Sequence, residues 1–161
     1  MSLINHRRRS DRWHGASQKV RQSAAPLFLD RIDIQCEITP VPFKDISKAA
    51  QGEPSAEIRK RVIRAREIQA ERFSGQKGIH CNAQMSERMI HQYAEPDEAG
   101  ISMLRMAMER LSLSARAYNR ILKVARTIAD LEGCEHVESH HLAEAIGYRT
   151  LDRGDWAERG I

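Results

Sequence analysis

Aromatic residues are scarce in this sequence, 5% of 161 residues, so any core it builds must be aliphatic. Cysteine is scarcer: Cys36, Cys81 and Cys134 are odd in number, far apart and never in a C-x-x-C pair, which argues against a disulfide framework and a structural zinc site. No apolar run approaches the roughly 18 residues needed to cross a bilayer; the longest, from Ala24 to Leu29, is short and holds Pro26. No apolar segment follows the basic N-terminus at signal-peptide spacing. The expectation is a cytoplasmic protein with no membrane contact. Also missing are a G-x-x-x-x-G-K-[ST] phosphate loop and an apolar strand ending in the paired acids that hold magnesium. Alone, the chain is expected to hydrolyse no nucleotide and to need no cofactor or metal.

Charge is plentiful, 30% of residues with a net of +4. The excess is a tail: Arg7, Arg8, Arg9, Arg12, Lys19 and Arg21 stand against Asp11 alone, and the rest of the chain is close to neutral. At roughly 150 residues per domain the length allows one compact unit, or a small domain with an appendage.

Residues 1–23 have no apolar periodicity and read as a disordered basic segment. In the next stretch Ile32, Ile34, Cys36 and Ile38 alternate with Asp33, Gln35 and Glu37, the period of a half-buried strand. Pro40 and Pro42 end it, and the chain runs as a linker to Pro54. A lone strand implies sheet partners elsewhere. Residues 55–153 read as helices. Ser55 is an N-cap candidate ahead of a face traced by Ile58, Val62, Ala65 and Ile68. Gly75 and Gly78 break that helix, a short helix follows over 83–93, and Ile101, Leu104, Met108 and Leu111 mark a third. Ser114 caps the best-marked helix, with Leu113 and Tyr118 as a hydrophobic staple and Gly133 as its stop. A last helix runs from about Ser139 to Tyr148, and 154–161 read as a tail. The fold class is mostly α, a four- or five-helix bundle preceded by an orphan strand.

Arg116 falls in the first turn of the best-marked helix, where orphan amides and the macrodipole already place positive charge. A bound phosphate would reverse the sign of that interaction. The alternative is a solvent-facing arginine, or one paired with Glu109. Arg31 lies between Asp30 and Asp33 and could present its fork to a phosphate on a neighbouring subunit, or simply pair locally. Arg59, Arg61 and Arg64 share a helix with Lys60, Arg66 and Arg72; the row could track a phosphate backbone, though no aromatics interleave it for base stacking. His136, His140 and His141 suggest metal spacing, but Val137 and Glu138 open the last helix between them, so a shared face is not expected. The methionines at 103, 106 and 108 read as core filler.

The segment Pro26-Leu27-Phe28-Leu29-Asp30-Arg31-Ile32-Asp33, the long run from Leu113 to Leu131 (LSARAYNRILKVARTIADL) and the ending from His141 to Arg153 (HLAEAIGYRTLDR) together resemble the C-terminal part of the magnesium chelatase-like AAA-plus ATPases of the ComM (YifB) type. The likeness spans about residues 17–153. It implies a remnant of the ATPase core over 24–54 and a helical lid domain over 55–153. Arg31 then matches a trans arginine finger, and Arg116 the sensor-2 arginine that the lid sets against nucleotide phosphates in its own subunit. It further implies, for the complete parent, ATP and Mg2+ as ligands, a homo-oligomeric and hexameric ring, the remainder of the core as partner, and DNA branch migration in natural transformation. The sequence departs from the family in two places: His6 to Ser17 contains no cysteine, and Ala24-Ala25-Pro26 stands where Ser-Gly-Pro is usual. The alternative from the residues alone is a free-standing basic module that binds DNA or a protein through Arg59, Arg61 and Arg64.

Overall fold

A helix opens directly after Pro54. The computed structural model describes residues 31–36, 38 and 52–149; the expectations for 1–23 and 154–161 lie outside them. Helix α1 is Ser55–Arg72. The Pro54 carbonyl accepts from the amides of Glu57 and Ile58 at 3.0 and 3.3 Å, so Pro54 is the cap and Ser55 the first helical residue. Only Ala65 and Gln69 of α1 are buried. Ile58 and Val62, expected on its inner face, are 42% and 45% exposed, because the N-terminal half of α1 outruns the bundle beneath it.

Gly75 and Gly78, both with φ near +80°, turn the chain after α1, as a residue without Cβ can at little cost. The single short helix expected over 83–93 is two pieces, a 3-10 turn at Asn82–Gln84 and α2 at Glu87–Tyr93. The division is made by Ser86, whose side chain accepts from the Met89 amide and starts a new helix. Asp97 caps α3, Glu98–Leu111, by accepting from Gly100 N–H at 2.8 Å. Ser114 caps α4, Ala115–Glu132, through the Ala117 amide at 3.1 Å, and Gly133 in the left-handed region ends it. Helix α5, Ser139–Gly147, opens on a capping box between Glu138 and His141.

Helix α4 is the axis of the bundle, packed against α1, α2, the 3-10 turn and α5. Its expected face, Ile121, Leu122, Ala125, Ile128 and Ala129, is buried, and the first four join Phe73, Ile90, Leu104, Val137 and Leu142 in one largely aliphatic core. Each fully buried Leu or Ile there contributes about 1.5–3 kcal/mol. Leu113 and Tyr118 both pack on that core, as a staple requires. On α3 the buried residues are Gly100, Leu104 and Ala107, while Ile101 is 40% exposed. The helix is rotated because Gly100 lets it approach α5: a Cβ there would lie 2.6 Å from Leu142 Cδ1.

The mostly α class holds, but the strand expected through Ile32, Ile34, Cys36 and Ile38 is not formed among the described residues. Residues 31–36 are a turn followed by irregular chain, and Ile38 is 90% exposed. An alternating segment becomes a strand only when a ladder partner takes its amides and carbonyls. The groups this segment meets belong to α4 and to the turn that follows α5.

Candidate functional site

The N-terminal end of α4 carries the clearest electrostatic anomaly. The other helices open on acids, with Glu57, Glu87 and Glu98 in the first turns of α1, α2 and α3 and Glu138 at the cap of α5. The first turn of α4 has no acid and carries Arg116, exposed. The positive end of the macrodipole and a guanidinium therefore share one rim, a combination suited to an anion.

One turn further, Arg120 donates to the Arg31 carbonyl at 2.6 Å and to the Asp33 carboxylate. Residues four apart share a helix flank, separated by about 6 Å along the axis. The structure thus brings the backbone of Arg31 to the same end of the bundle as Arg116. Arg31 is itself exposed. Two further contacts hold this segment: Arg149 donates to the Ile32 carbonyl, and the Gln35 amide donates to the Tyr148 carbonyl at 3.1 Å.

Towards its carboxyl end, away from this rim, α4 is fixed by a buried polar cluster. Asp130 is fully buried and accepts from Arg72 at 2.8 Å, Asn82 at 2.7 Å, Arg126 at 3.1 Å and Gln69 at 3.2 Å. Burial by itself would raise its pKa; the hydrogen bonds from Arg72 and Asn82 and the charges of Arg72 and Arg126 outweigh it and hold the carboxyl below its ordinary value. Arg126 Nη1 also donates to the Glu135 carbonyl at 2.6 Å. The cluster staples α1, the 3-10 turn, α4 and the 133–137 loop together.

The arginines of α1 do not form one open row. Arg61 forks onto the Glu53 carboxylate, Arg64 lays its guanidinium over Gly133 at the carboxyl end of α4, and Arg72 lies in the Asp130 cluster. At 100° per residue Arg59 faces about 160° away from Arg61.

His136 is exposed and separate; His140 and His141 instead meet Glu132, with Nε2 to Oε2 distances of 3.0 and 3.1 Å. The three ligand-type atoms lie within 4.8 Å of one another. His141 Nδ1, however, accepts the Glu138 amide proton at 2.9 Å. The neutral ring must then carry its proton on Nε2 and donate to Glu132, which leaves no lone pair there for a metal. The hydrogen bond with Glu132 raises the pKa of His140 and lowers that of Glu132.

Arg120, Arg149, Asp130 and Glu132 were not singled out from the sequence. Arg126 and Asp130 had left a readable sign, a charged i, i+4 pair inside an apolar face.

Residues 52–149 match the family model described as magnesium chelatase, subunit ChlI C-terminal. The chain is 41% identical over 127 residues to the competence protein ComM of Haemophilus influenzae, 42% to the uncharacterized protein YifB of Salmonella typhimurium and 39% to YifB of Escherichia coli. Each match covers 78% of this chain and 24% of the relative, so the chain spans about a quarter of the length of the curated relatives it matches.

Proposed function

The chain belongs to the magnesium chelatase ChlI C-terminal family, and from that premise we propose that it is the nucleotide-sensing lid of a ring-forming AAA-plus ATPase. The observation that carries the reading is the first turn of α4, which has no acid and sets the exposed Arg116 at the positive end of the helix. That donor set fits a nucleotide phosphate. A nucleotide bound with its magnesium in the ATPase core supplies the phosphoryl group. Arg116 offers planar N–H donors to a phosphate oxygen, and Arg31 offers a second fork that offsets charge developing during transfer.

Because Arg120 holds the Arg31 backbone at the end of the bundle that carries Arg116, we read the two arginines as serving one and the same site. In this reading both arginines face the same neighbouring nucleotide. One arginine acting within the subunit and one across the interface is the alternative that subunit mixing distinguishes. The name competence protein borne by the Haemophilus relative points such a ring toward DNA.

In the complete ATPase, Arg116→Ala and Arg31→Ala are each expected to lower ATP turnover at least tenfold, since an arginine finger alone contributes about 10³-fold or more. Unchanged turnover in both variants overturns the reading.

A further inference from the structure

The segment carrying Arg31 touches the bundle through groups that are all supplied by the lid. Arg120, on the second turn of α4, spans the Arg31 carbonyl and the Asp33 carboxylate. Arg149, just past α5, takes the next carbonyl, that of Ile32. The Tyr148 carbonyl takes the Gln35 amide. Arg149 is 1% exposed, so its guanidinium cannot swing into water without dismantling its surroundings. Both bonds of Arg120 come from Nη1, so one charged nitrogen ties the Arg31 carbonyl and the Asp33 carboxylate to the same point of α4. The contacts fall at residues 31, 32, 33 and 35, and they come from α4 and from the turn that follows α5.

We propose that Arg120 and Arg149 are positioning residues that clamp the Arg31 segment to the lid, so that Arg31 and Arg116 move as one rigid edge. The inference rests on the nucleotide-sensing reading given above and adds its linkage. Without the clamp both functional side chains are still present, but a tilt of the lid no longer carries Arg31 with it. The segment has no sheet partner among the described residues to take over that task.

The test uses Arg120→Met and Asp33→Asn in the complete ATPase, with Arg31→Ala alongside. Arg120→Met is expected to lower kcat about tenfold while the KM for ATP stays within about twofold, the pattern of an interaction realised in the transition state. Asp33→Asn, which keeps an acceptor oxygen, is expected to retain most of kcat. In the present chain, hydrogen exchange at the Gln35 amide is expected to accelerate at least tenfold in Arg120→Met while α4 amides keep their protection, which separates a lost clamp from a lost fold. If Arg31→Ala abolishes turnover but Arg120→Met keeps the kcat of the unaltered protein, the clamp is wrong. If Arg31→Ala itself leaves turnover intact, the nucleotide-sensing reading fails instead.

Discussion

At the residue scale, Asp130 shows how a charge survives inside an aliphatic core. Four donors converge on its two oxygens, and two of them carry the positive charge that makes its burial tolerable. Asp130→Ala leaves Arg126 buried without its partner, so the expected cost is about 3–5 kcal/mol, read from urea unfolding. The folded-state pKa of Asp130 is depressed, so its contribution is complete above the unfolded value near 3.9 and is lost as pH falls through the folded value. His140 has the opposite sign. Its pKa is raised by Glu132, so its contribution is complete below about pH 6.5 and disappears as pH rises through the folded value. His140→Gln is expected to flatten the stability profile on the alkaline side of pH 6.5. A profile unchanged by the substitution would contradict the pairing with Glu132.

At the element scale, most of the helical layout was legible because its punctuation is local. Ser114 and Gly133 delimit α4 by hydrogen bonds and backbone conformation that involve only near neighbours in sequence, and the apolar face between them needed no knowledge of the partners. The errors arose where a partner decides. The rotation of α3 followed from an approach to Leu142 that periodicity cannot register, and Ile58 and Val62 have helical spacing but no bundle beneath them. The alternation at residues 32–38 describes a segment's fitness for a sheet, and among the described residues α4 and the turn after α5 meet it instead. Gly100 makes the tertiary contribution measurable. In Gly100→Ala the new methyl would lie 2.6 Å from Leu142 Cδ1 and 2.7 Å from Pro96 Cβ, and overpacking of this kind costs about 1–3 kcal/mol. Gly147→Ala, where nothing lies within 4 Å, is the control and is expected to leave the melting temperature unchanged or slightly higher.

For the whole molecule, the candidate site was only half legible. Arg116 stood out because a cation in a helix's first turn is locally unfavourable, and that signal lies in neighbouring residues. The juxtaposition of Arg31 with Arg116 depends on Arg120, 89 residues from Arg31 in sequence, and no spacing rule reaches across that interval. The proposal at this scale is that one edge of the bundle delivers both arginines to a single site. Subunit mixing tests it most directly. In the complete ATPase, subunits bearing Arg31→Ala and Arg116→Ala together, but with an intact phosphate loop, are combined with subunits that keep both arginines and have a disabled phosphate loop. Each preparation alone is expected to be inactive. If both arginines cross the same interface, mixed rings contain complete sites and ATP turnover reappears on mixing. If turnover does not reappear although mixed rings form, the two arginines do not act together on a neighbour's nucleotide and the account is wrong.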